Sequence, residues 1–153
     1  MSKEKRGRKQ PVDKPQKPGR TGIFNRPTQN FKWSFAKCIW EHEQWQSYKD
    51  DVPWFVENII SKLQGYESQL WQSIESASGG KREGNGSNSH FIPINKLSKE
   101  ATIVLSKAGL IRDFDKIFSL RLTAKQRLIG VVEGAIFYVL WFDDNHQTIP
   151  TTK

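Results

Sequence analysis

Cysteine is almost missing from this chain: Cys38 stands alone, so no disulfide can close within it, and such thiol usage fits a reducing compartment. No apolar run approaches the roughly 18 residues of a membrane span, and the basic N-terminus lacks the apolar segment of a signal peptide, so a cytoplasmic protein is expected. Histidine is scarce as well. His42, His90 and His146 are far apart, and with a single cysteine they offer no zinc-binding spacing. A Walker loop, a GxGxxG after a strand, a GxSxG elbow and a Cys/His pair at diagnostic spacing are all absent. These absences remove most cofactor-dependent enzymes, and neither metal nor cofactor is expected.

Positive charge is plentiful but uneven. The formal charge is +8 over 153 residues, yet residues 1 to 20 carry eight Lys or Arg against Glu4 and Asp13, leaving only +2 for the rest. Residues 1 to 22 combine charge, Pro and Gly with almost no apolar side chain, so they are expected to form a disordered basic arm. Within it Lys3, Lys5, Arg6, Arg8 and Lys9 suit phosphate contacts made with counterion release, although a purely solubilising extension has the same composition. Residues 23 to 153 are long enough for one α+β domain with an ordinary core.

Along that domain, Phe31, Trp33 and Phe35 alternate with Lys32, Ser34 and Ala36, the two-residue period of a strand that reaches Trp40 at most and is expected to join a later sheet. His42 between Glu41 and Glu43 is either an acid–base group or an ordinary surface histidine. Asp51 can cap a helix with Pro53 at its start. The apolar residues from Phe55 to Ile74 recur at three- and four-residue steps, predicting one long helix over about 53 to 76 with a possible break at Gly65. Residues 76 to 89, SASGGKREGNGSNS, read as a flexible Gly/Ser-rich loop whose Lys81 and Arg82 can reach phosphates. A second helix is expected from Ser98 to Ala108, stopped by Gly109.

Residues 115 to 150 are the most telling stretch. Phe118, Leu120 and Leu122 alternate with Ser119, Arg121 and Thr123, while Leu128 to Glu133 and Ala135 to Phe142 are short runs of Val, Ile, Phe, Tyr and Trp around Glu133-Gly134. Three antiparallel strands in a meander follow, with Gly134 in the tight turn. Strands and helices segregated in this order predict a mainly antiparallel sheet with two helices on one face. Arg121, Lys125 and Arg127 fall within seven residues of this meander, and three cations so close can hold a phosphodiester and stabilise charge developing on phosphorus. His146 or Tyr138 can move the proton. The plainer alternative is a solvated cationic face paired with Glu133, Asp143 or Asp144.

The pattern SLRL, then QRLIGVVEGAIFYVLWFDDNHQTIP, resembles the RelE/ParE superfamily of bacterial toxins, particularly those that cut messenger RNA at the ribosome. The resemblance covers about 35 residues: a strand carrying an Arg, a basic turn, a strand with a second Arg, a hydrophobic strand, and an acidic exit with a His. It implies a RelE-like sheet cradled by helices, metal-independent endoribonuclease activity through attack of the ribose 2′-OH, and a small antitoxin partner. It also implies that Arg121 and Arg127 hold the scissile phosphate, that His146 or Tyr138 transfers protons, and that Lys125 assists in binding RNA. The competing expectation is a non-catalytic module that binds nucleic acid or a protein.

Overall fold

The computed structural model describes residues 25 to 77 and 89 to 150. The basic arm with Lys3, Lys5, Arg6, Arg8 and Lys9, and loop residues Lys81 and Arg82, lie outside the described residues. Among the described residues five strands form one mixed sheet: β1 (Lys32–Ser34), β2 (His90–Pro93), β3 (Lys116–Arg121), β4 (Arg127–Glu133) and β5 (Ile136–Asp143), in the order β1-β5-β4-β3-β2. The meander β3-β4-β5 is antiparallel as expected, β2 adds antiparallel to β3, and β1 runs parallel to β5. The architecture is α+β. Gly134 turns the last hairpin at φ 66°, in the left-handed region that glycine occupies without strain.

The expected long helix is instead interrupted. α1 (Val52–Phe55), a π-helical turn (Val56–Ile60) and α2 (Ser61–Glu67) run on from one another, and α3 (Trp71–Ser76) starts anew. Gly65 stays helical in open space; the break falls at Ser68 to Leu70, where Leu70 is extended and bridges Asn30. Phe31 N–H donates to the Gln69 carbonyl at 3.0 Å and Trp71 N–H to the Gln29 carbonyl at 2.9 Å. Long-range pairing thus removes these residues from the helix, which apolar periodicity does not register. Local chemistry holds elsewhere: the Asp51 carboxylate accepts from Trp54 N–H at 3.1 Å, and the Ser98 hydroxyl accepts from Ala101 N–H at 3.1 Å to start α4 (Lys99–Lys107). Gly109 follows α4 at φ 75°.

Helices cover both faces of the sheet, not one. On the first face Phe118 and Phe137 meet Trp71 of α3 and Phe31, while Phe142 meets Trp54 of α1, Tyr48 and Trp45. Gly130 sits in this layer opposite Phe118, and a Cβ there would meet the Tyr138 carbonyl and come within 2.6 Å of the Phe137 ring, so only glycine fits. The second face carries Ser119, Ile129 and Trp141 in one row, with Ala101 and Val104 of α4 bordering the same cleft as Trp141. Buried residues of both layers form one continuous core. Among the described residues no helix is long and apolar enough to cross a membrane.

Candidate functional site

Alternation along β3, β4 and β5 puts Arg121, Arg127 and Asp143 side by side in the last row of the second face. The preceding row is His90, Ser119, Ile129 and Trp141. Behind Arg127 the turn of residues 122 to 126 is closed by Leu122 N–H to the Gln126 carbonyl at 2.9 Å and by Gln126 N–H to the Thr123 hydroxyl at 3.1 Å. Arg127 Nη1 donates to the Thr123 carbonyl at 2.6 Å and the Gln126 carbonyl at 3.0 Å, anchoring the guanidinium on this turn. The residue is 7% exposed, and its buried Nε has no hydrogen-bond partner among the described residues. Burial, then the neighbouring Arg121, pushes its pKa down. An orphaned N–H on a buried cation leaves a desolvation cost uncompensated, which an anion would relieve.

Asp143 organises the exit of β5. Its Oδ1 accepts from Gln147 N–H at 2.8 Å and its Oδ2 from Thr148 N–H at 2.9 Å, curling residues 143 to 148 back over the second face. Within that curl His146 adopts φ 61°, a left-handed conformation uncommon outside glycine, though histidine enters it more readily than most residues. Burial foremost, with Arg127 adding to it, lowers the His146 pKa below the ordinary imidazole value of 6.5, against an opposing pull from Asp143. His90 is lowered in the same way, by burial, then Arg127 and His146. His90, Arg121, Arg127 and His146 therefore form one cationic and imidazole cluster, with Asp143 at its edge.

Of the sequence-predicted residues, Arg121, Arg127 and His146 come together. Lys125 is exposed on the turn beside them. Tyr138 does not join. It pairs with Val131, four residues along β4 from Arg127 and roughly 14 Å away at the rise of a strand, and its ring carries Lys37 Nζ at 4.9 Å. The tyrosine that senses Arg121 and Arg127 is Tyr66 of α2, whose hydroxyl donates to the Arg121 carbonyl at 2.7 Å and whose pKa is raised, chiefly by burial. His90 was the other omission: its place depends on β2 pairing with Ser119 of β3, and no local motif signals that register. Asp144 accepts from Gln126 Nε2 at 3.0 Å and Tyr48 Oη at 3.4 Å, so it braces the turn. His42 caps the helical segment Glu43–Tyr48 through Nδ1, which accepts from Gln44 N–H at 3.1 Å, and stacks on Trp141 with centroids 4.6 Å apart. Comparison of the chain with protein-family models, curated proteins and solved structures yields no match.

Proposed function

We propose that the chain is a metal-independent endoribonuclease of RelE-like toxin type, acting on messenger RNA and restrained by a small antitoxin protein. The observation that carries this reading is the buried guanidinium of Arg127, whose Nε has no hydrogen-bond partner among the described residues, beside Arg121 and flanked by two imidazoles of lowered pKa. Phosphodiester cleavage of RNA needs these parts. The arginines hold the phosphate and balance charge growing on its oxygens. A neutral imidazole, from His146 or His90, takes the 2′-OH proton as that oxygen attacks phosphorus. The 5′-oxygen then leaves with a proton from the other, protonated imidazole, giving a 2′,3′-cyclic phosphate and a free 5′-OH. Because both imidazoles are lowered, the optimum falls on the acid side of pH 6.5.

A second reading, a non-catalytic RelE-like module that binds nucleic acid or a protein, draws on Arg127 Nη1 being committed to turn carbonyls. Induction of the intact protein and of the Arg127→Ala/His146→Ala variant in a bacterial host, with RNA ends mapped, separates them. Growth arrest with new ends from the intact chain alone supports the nuclease, and loss of one arginine contact should cost about 10² to 10³ in cleavage rate. Intact RNA from a soluble, folded protein favours the module, and deletion of residues 1 to 22 should then abolish binding.

A further inference from the structure

Beside the cationic cluster, on the same face, a cleft of about 510 Å³ opens among Glu41, His42, Glu43, Glu100, Gln147 and Thr148. That size is ordinary for a small-molecule site. The curl of residues 143 to 148 serves both places: it carries His146 to the cluster and Gln147 and Thr148 to the cleft wall. Trp141, bordering the cleft, and Asp143, in the row of Arg127, are two residues apart on one face of β5, roughly 7 Å at the rise of a strand, about the reach from a phosphate to its own base. Among the described residues no Lys or Arg lines the cleft, so a phosphate is repelled there and drawn instead toward the row of Arg121 and Arg127. The carboxylates can only accept hydrogen bonds. His42 supplies the opposite function: its Nδ1 is occupied by Gln44 N–H, which leaves Nε2 to carry the proton. Burial, the largest influence on this ring, favours its neutral form.

We infer that this cleft is the base subsite of the same site and that it selects guanine, an inference that rests on the ribonuclease reading. Guanine alone among the RNA bases presents an acceptor, O6, next to two adjacent donors, N1–H and N2–H, which matches one imidazole N–H beside acceptor-only carboxylates. Uracil, with one donor between two acceptors, sets its oxygens against those carboxylates.

Calorimetric titration of the full chain with the 3′-monophosphates of guanosine, adenosine, cytidine and uridine tests this. The Glu41→Ala/Glu43→Ala/Glu100→Ala variant, altered only at exposed side chains, is titrated in parallel, with inorganic phosphate as competitor. Guanosine 3′-monophosphate should bind at least fivefold tighter than the other three. The triple variant should lose that preference while binding the uridine nucleotide as well or better. A smaller preference, or one that survives in the variant, overturns the cleft assignment and leaves the phosphate site standing if inorganic phosphate displaces all four. Binding of none of them by folded protein, with a lysine- and arginine-rich peptide bound instead, overturns both readings.

Discussion

The two faces of the β3-β4-β5 meander are made from the same strands yet have little in common. On one, Phe118, Phe137 and Phe142 interlock with Trp71, Trp54 and Phe31, and Gly130 leaves room for the Phe137 ring. On the other, alternate residues deliver Arg121, Arg127 and Asp143 to a single row. A strand reverses its side chains at every residue, so one element supplies both the apolar burial that stabilises the fold and the charges that threaten it. The aromatic layer provides the rigidity that lets a buried arginine and a left-handed histidine persist. Each face should consequently respond to its own kind of perturbation.

The largest expected effect is on the aromatic face. Trp71→Ala removes a fully buried ring and its Nε1–H bond to the Ala135 carbonyl at 2.8 Å, and should lower unfolding free energy by about 3–5 kcal/mol in denaturant titrations. On the charged face Asp143→Asn keeps the shape but weakens two charge-assisted bonds to backbone N–H groups. A loss of about 1.5–3 kcal/mol is expected, with faster hydrogen exchange at Gln147 and Thr148. A loss as large as that of Trp71→Ala would show that the two layers do not divide their roles in this way.

Acid should also separate the faces. His42, His90 and His146 all have pKa values lowered in the folded state, chiefly by burial. Below pH 6.5 the unfolded chain binds more protons than the folded one, so unfolding stability rises with pH through that window and is lost as pH falls through the folded values. Thermal melts from pH 5 to 7.5 should show this, and the slope should shrink in a His146→Asn variant. Smallest is the backbone effect at His146 itself: at φ 61°, His146→Gly should be about 1 kcal/mol more stable than His146→Ala, whichever loses more activity.

Features governed by neighbours in the chain were legible from the residues alone. The meander, the Gly134 turn, the Asp51 and Ser98 caps and the Gly109 stop all reflect local geometry, and all are present. Arg121, Arg127 and His146 were legible for the same reason, since they lie on or beside one meander. What was hidden depends on pairing across long stretches of chain: the break at Ser68 to Leu70 made by Asn30, the arrival of His90 through β2, Tyr66 in place of Tyr138, and α4 on the second face. The alternation of β3 also understates burial, because Ser119 faces away from Phe118 and is still only 1% exposed.

The parallel contact of β1 with β5 has a kinetic consequence. Lys32 finds its partner in Ile136, about a hundred residues later, so that edge of the sheet cannot close until β5 is available. Closure of so long a loop must precede the contacts that reward it, which slows folding. The early aromatic segment, Phe31 to Trp45, can meet Phe55 and Trp71 first, and its contacts with Phe137 and Phe142 follow only once β5 is present. The row of Arg121, Arg127 and Asp143 rests by contrast on the local β3-β4-β5 pairing, so it can assemble before β1 closes the edge of the sheet.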